Sequence, residues 1–210
     1  IMRRMRHDCL MPEIVAETAR LILRTEAPGD LDRWMEVMNT PAVRKHLGGV
    51  QERHEAEAGF ARKAAGIAKD GYGFWHLQTK GDGQLIGQCG IGPIEVEAAG
   101  SVLQGQLQIG WSIAESHWRR GYAMEAARAV IDLAFTRHGI DLLYAQTSDA
   151  NAASWQMMEK LGMERVRALD YVDPEYLPDE NPTIIYRLTR IGGAVPDVLD
   201  DSRNLVPEHH

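Results

Sequence analysis

Ser112-Ile113-Ala114-Glu115-Ser116-His117-Trp118-Arg119-Arg120-Gly121-Tyr122-Ala123-Met124-Glu125-Ala126-Ala127 joins an apolar strand, Leu107 to Ile113, to an alanine-rich helix through a turn with two arginines and a glycine. The first turn of a helix offers N–H groups without intrahelical partners and the positive end of the helix dipole. Gly121 has no Cβ, so the backbone can close on a ligand. Ala123 keeps the next turn small, and Arg119 and Arg120 add donors suited to phosphate oxygens. The string reads as an anion seat with a diphosphate as its natural occupant. It also fits an ordinary helix start after a glycine turn flanked by solvated arginines. It is neither the Gly-Lys-Ser/Thr phosphate loop nor the G-x-G-x-x-G dinucleotide turn. A nucleotide-type ligand on some other fold is what remains.

Outward from this turn, the chain alternates strand and helix patterns. Arg20 to Arg24 reads as a first strand. Asp30 can cap a helix through Asn39 that groups Leu31, Trp34, Met35 and Met38 on one face, and Pro41 can open a short helix toward Leu47. Arg53 to Lys69 reads as a polar helix, amphipathic through Ala58, Ala61, Ala65 and Ala68, and Gly71 and Gly73 stop it. Phe74 to Gln78 and Gln84 to Ile91 form a hairpin around Gly81-Asp82-Gly83. Pro93 to Gln104 is an irregular excursion before the strand Leu107 to Ile113, and the helix is expected over Arg119 to His138. Strands Leu142–Thr147, Met163–Leu169 and Thr183–Leu188 follow, with a helix over Asn151–Leu161 and an acidic, proline-rich loop over Asp170–Pro182. Antiparallel hairpins followed by β-α-β-α-β give an α/β class, with an α+β mixed sheet.

The chain has 210 residues, 44% hydrophobic and 25% charged, with a net charge of −7. That is one soluble-type domain able to bury a core. The acidic balance argues against a general nucleic-acid binder and is compatible with cationic substrates such as amines. Cys9 and Cys89 are far apart and form no C-x-x-C pair, which suits a reducing compartment. With no membrane-length apolar run and no signal-peptide core, the expected location is cytoplasmic, with no membrane partner. Residues 1–16 read as a peripheral extension, 17–190 as the domain, and 191–210 as a tail. The closing Glu208-His209-His210 fits the start of an affinity tag, so no metal is expected there.

Four segments together resemble the GNAT acyltransferases, in particular the branch of ribosomal-protein N-terminal acetyltransferases of the Rim type. They are Glu17 to Arg24, the hairpin from Gly71-Tyr72-Gly73-Phe74-Trp75 to Gln84–Gly90, the loop Trp118 to Ala126, and Asn151-Ala152-Ala153-Ser154 continuing to Glu159–Met163. The resemblance implies a twisted, mostly antiparallel sheet, splayed at the coenzyme site and flanked by helices. It implies acetyl-CoA as cosubstrate, with the pyrophosphate on Arg119, Arg120, Gly121, Tyr122, Ala123 and Met124. The pantetheine arm would pair along Ile113, and Asn151 would bind its amides or carbonyls, with a helix N-cap as its plain alternative and the two roles compatible. An unpaired strand edge offers the N–H and C=O groups that such an arm needs. Two positions depart from the usual pattern. Arg119 stands where the family often has glycine, and Met158 stands where many members carry a tyrosine as acid for the leaving thiolate. Ser154 is the nearest hydroxyl and takes that role in this reading; its plain alternative is a small residue that lets the helix pack.

The implied reaction is direct attack of a neutral amine on the thioester, with an oxyanion held by a strand N–H near Ile113. An α-amine, with a pKa of roughly 7.7–8.0, needs less help than a lysine at about 10.4. His76, Glu95 and Gln108 are candidates for a base or water-ordering group, each with a structural role as the alternative. Trp75 and His76 alternate across a strand, so one is expected in the core and the other outside it. Asp170, Asp173, Glu175, Asp179 and Glu180 could draw in a cationic acceptor or could be a solvated loop. Tyr171, Tyr176 and Trp34 could line the same groove. An exposed final strand invites a homodimer. The competing function is a non-catalytic acyl-CoA-binding regulatory module, supported by Met158; an acidic interaction domain without coenzyme is the third.

Overall fold

The computed structural model describes residues 11–190. Cys9, most of the N-terminal extension, and the tail with its histidines lie outside the described residues. Eight strands form one sheet in the order β1-β2-β3-β4-β5-β6-β8-β7. They are β1 (Ile14–Glu17), β2 (Leu21–Arg24), β3 (Phe74–Thr79), β4 (Leu85–Pro93), β5 (Leu107–Ile113), β6 (Leu142–Ser148), β7 (Glu164–Arg165) and β8 (Thr183–Thr189). All neighbours are antiparallel except β5 and β6, which run parallel and are paired only at Gln108 and Tyr144. Beyond that point the two strands part, which is the expected splay.

The helices are α1 (Asp30–Val37), α2 (Pro41–Arg44), α3 (Arg53–Asp70), α4 (Gly100–Leu103), α5 (Tyr122–Thr136) and α6 (Ala152–Lys160). One face of the sheet packs Trp75, Leu77, Cys89, Ile109 and Leu143 against Ala126, Val130 and Ala134 of α5 and Met158 of α6. On the other face, Trp34, Met38, Ala56 and Phe60 close α1 and α3 over the sheet. Trp75 and His76 are therefore both buried, at 1% and 5% exposure, because helices cover both faces where one wet face was expected. None of the described helices is long and apolar enough to cross a membrane.

Several boundaries differ from the sequence reading. The helix expected from Arg119 begins at Tyr122, because Arg119 and Gly121 both take left-handed backbone angles, φ 58° and 80°. The strand expected over Met163–Leu169 shrinks to two residues, since Asp170 Oδ1 accepts the Ile185 N–H and a 3₁₀ turn fills Arg167–Leu169. The irregular stretch after Pro93 holds a 3₁₀ turn and α4. β1 was unread, its four residues being too few for a period. The alanine stripe of α3 faces solvent: Ala58, Ala61, Ala65 and Ala68 are exposed, while Ala56 and Phe60 are buried and Lys63 and Ile67 half-buried. A phenylalanine buries far more apolar area than any single methyl group, and Phe60 together with Ala56 and Ile67 sets the face. The final strand is not an edge, for β6 pairs it along its length and β7 and Tyr171 cover its other side. That removes the stated basis for dimerisation.

Candidate active site

The turn between β5 and α5 is built as an anion cradle. Arg119 and Gly121, both left-handed, flank Arg120, and Gly121 caps α5 with no side-chain bond. The first helical hydrogen bond is Glu125 N–H to the Gly121 carbonyl at 3.0 Å. Among the described residues, the N–H groups of Tyr122, Ala123 and Met124 have no partner, as expected at a helix start. Alternating backbone handedness turns successive N–H groups toward one concavity. A non-glycine residue at positive φ costs about 1–2 kcal/mol and persists only where its surroundings hold it.

What holds this loop was not visible in the sequence. Glu125, in the first turn of α5, accepts from Thr18 Oγ1 at 2.6 Å, from Arg20 N–H at 2.8 Å and from Arg20 Nε at 2.7 Å. Burial alone would raise the Glu125 carboxyl; these donors outweigh it and hold it below the usual carboxylate range. Arg20 also donates from Nη1 to the Arg120 carbonyl at 2.9 Å and lies 4.4 Å over the Tyr122 ring. On the strand side, Trp118 Nε1 donates to the Ile113 carbonyl at 2.7 Å.

The cleft edge follows from register. The Ala114 N–H donates to the Ile86 carbonyl, and the Gln106 carbonyl accepts from Ile94, so both residues turn their backbone groups toward β4. Alternation then turns those of Ile109, Trp111 and Ile113 toward β6. Past the pairing at Gln108 and Tyr144, Trp111 and the Ile113 N–H border the splay. Across it, Asn151 caps α6, its Oδ1 accepting the Ser154 N–H at 3.3 Å, so its expected capping role is realised and its Nδ2 bonds to none of the described residues. Ser154 lies half-buried in the first turn of α6, and its Oγ bonds to none of the described residues. Met158 points into the core at 2% exposure, so the missing tyrosine there has a packing explanation.

The base candidates separate. His76 packs 5.2 Å from the Phe60 ring with its Nδ1 unpartnered. Burial, with the nearby Lys63 and Arg24 charges, pushes its imidazolium down to about 4 against the pull of Asp30, which makes it a weak base. Glu95 is exposed, away from the cleft edge. Gln108 sits where the splay opens, able to orient a group and unable to take a proton. Cys89 is fully buried, and burial pushes its thiol up, out of nucleophilic range.

The acidic loop is mostly committed to structure. Asp170 pairs with Arg165, Asp173 is buried and accepts the Glu175 N–H at 3.0 Å, and Glu180 pairs with His46 beyond α2. Glu175 and Asp179 remain exposed. Tyr171 donates to Gln146 at 2.8 Å beside β6. Tyr176 feels the charge of Arg44, whose guanidinium stands 6.0 Å from the Trp34 ring. Trp34 itself is buried at 3% exposure, so it packs beneath the groove and does not line it.

Residues 20–164 match the family model described as the acetyltransferase (GNAT) domain. An uncharacterized Bacillus subtilis protein, YkkB, is 31% identical over 127 residues, 60% of this chain and 71% of its own. A solved acetyltransferase from Agrobacterium tumefaciens is 28% identical with a TM-score of 0.68, covering 83% of this chain and 94% of its own. The ribosomal-protein acetyltransferase RimL, solved in complex with coenzyme A, shares the fold at 16% identity and a TM-score of 0.68, covering 84% of this chain and 98% of its own.

Proposed function

The chain belongs to the GNAT acetyltransferases, and from that premise we propose that it moves an acetyl group from acetyl-CoA to a primary amine, on a small molecule or a protein N-terminus, by direct attack. The observation that carries this reading is the loop at the end of the splayed strand: left-handed Arg119 and Gly121, followed by three unpartnered N–H groups. Its geometry suits a diphosphate, and the free edge beside it suits an amide-bearing arm.

The donor supplies an activated carbonyl and a good leaving thiolate. The backbone of Arg119 to Met124 holds the pyrophosphate, with the Arg119 and Arg120 side chains adding charge. Trp111 and the Ile113 N–H pair with the arm and offer a donor where an oxyanion develops. The Ile113 carbonyl is already taken by Trp118, so the arm uses its neighbours. Asn151 Nδ2 meets an amide carbonyl, and the Ser154 hydroxyl hands a proton to the departing sulfur and is reprotonated by the proton that the attacking nitrogen sheds. With His76 a weak base and Gln108 no base, the reaction draws on amine that is already neutral, which favours α-amines, with their appreciable neutral fraction, over lysine side chains.

No observation favours the non-catalytic reading once Met158 lies in the core. The test is calorimetry with coenzyme A, then thiol release from acetyl-CoA across amino acids, N-terminal peptides, polyamines and aminoglycosides. Tight coenzyme binding with release for at least one amine is expected. Binding with no release across the panel would return the protein to the regulatory class.

A further inference from the structure

On the α3 face of the sheet, register carries one row of side chains across four strands: Arg24, His76, Gln88 and Ser112. Ser112 ends that row on β5, the strand that borders the splay. Lys63 reaches down from α3 and donates to Gln88 Oε1 at 2.5 Å. Its ammonium stands 6.0 Å from the Trp34 ring centroid and 5.4 Å from that of Phe60. Arg44, at the end of α2, stands 6.0 Å from the same indole. Two cations thus share one aromatic wall above the row that leads to the cleft.

Glu26 lies within electrostatic range of Lys63 and Glu55 within range of Arg44, but neither carboxylate is in contact with its cation. Arg24 and Asp30 form a buried bidentate pair, Nη1 to Oδ2 at 2.6 Å and Nη2 to Oδ1 at 2.8 Å, and cancel each other. His76 is neutral at physiological pH. Burial, Arg44 and Arg62 push the Lys63 ammonium down to about 8, and Glu26 opposes them without prevailing. Among the described residues, no carboxylate lies within 4.0 Å of either cation. Glu180, on the neighbouring loop, is already paired with His46. The indole Nε1 of Trp34 is a further buried donor with no partner among the described residues.

We propose that the acceptor amine carries a carboxylate, and that Lys63 and Arg44 hold that carboxylate beside Trp34. This deepens the acetyl-transfer reading and rests on it. Arg44 already spends Nε on the Gly49 carbonyl at 2.8 Å and one Nη2 proton on the Leu47 carbonyl at 2.5 Å, which leaves both protons of Nη1 and the second of Nη2. Lys63 keeps two protons beyond Gln88. That donor set suits a carboxylate held over the buried Trp34 and Phe60 side chains. Polyamines and aminoglycosides would instead meet two like charges there.

The test uses coenzyme-saturated protein titrated with N-acetyl amino acids and with their carboxamides. Acid and amide have the same shape and differ in one charge. Acids should bind at least about tenfold more tightly, and the preference should fall below about twofold in Lys63→Met and in Arg44→Met. It should survive in part in Lys63→Arg, with coenzyme affinity unchanged as the control for folding. Equal binding of acid and amide overturns the proposal, as does a preference that survives Lys63→Met or tighter binding of an N-acetyl phosphate monoester. The same pairs used as free amines, and as acidic peptides against their amides, tell a free amino acid from a peptide N-terminus through kcat/KM. Thiol release that ignores the carboxylate sinks this inference alone, whereas a wild-type protein that binds no coenzyme sinks the acetyl-transfer reading as well.

Discussion

Arg20 grips Glu125 with two nitrogens, Nε at 2.7 Å and Nη2 at 2.6 Å, and so ties the turn before β2 to the first turn of α5. The same guanidinium holds the Arg120 carbonyl, so one side chain fixes the loop on both sides of Gly121. Arg20→Ala should weaken coenzyme binding by about tenfold while costing only about 1 kcal/mol of stability, since the pair is partly exposed. Calorimetry and denaturant melts separate the two effects. An unchanged coenzyme affinity would mean that the loop holds its shape unaided.

The Glu125 side of that pair has a pH signature. Its carboxyl is held below the usual range in the folded state. The stabilisation is therefore complete above the unfolded pKa of about 4.3 and is lost as pH falls through the lower folded value. The gap in stability between wild type and Glu125→Gln should be constant at neutral pH and close in acid. A gap that widens on acidification would contradict this.

His76 works in the opposite direction. Its imidazolium is pushed down to about 4 in the folded state, against an ordinary 6.5. Unfolding takes up a proton between those values, so stability falls as pH drops from about 6.5 to 4, at up to about 1.4 kcal/mol per pH unit. In His76→Phe that part of the slope should vanish in urea melts run across the range.

Arg119 tests whether backbone or side chain holds the phosphate. Glycine at φ 58° relieves a left-handed strain but adds chain entropy, so Arg119→Gly should gain no more than about 1 kcal/mol. If the N–H groups dominate, coenzyme affinity should drop less than about threefold. A drop of about thirtyfold or more would assign the binding to the guanidinium.

The sequence made the loop and the Asn151 cap legible because each is a local backbone device written in consecutive residues. The parting of β5 and β6 came with the family resemblance, and the single pairing at Gln108 and Tyr144 bears it out. The clamp from Arg20 spans 105 residues of chain, and no local period encodes it. Lys63 was hidden for a related reason. In a helix full of alanine it reads as one more solvent charge, and its inward turn shows only in its bond to Gln88 and its approach to the Trp34 and Phe60 rings. The acidic loop stayed open between two readings because composition counts carboxylates without showing which are already bonded. Met158 stands where the resemblance puts a tyrosine, and only the structure shows that its side chain lies in the core.

The most direct test is coenzyme A titrated into wild type and Gly121→Glu. Gly121 has φ 80°, and a Cβ there would meet Arg20 Nη2 at 3.4 Å, so any side chain is strained and glutamate also sets a negative charge in the cradle. Wild type should bind coenzyme A, and the folded variant should bind it at least about a hundredfold more weakly. Normal binding by a folded Gly121→Glu protein would show that the turn from Trp118 to Met124 is not the coenzyme seat.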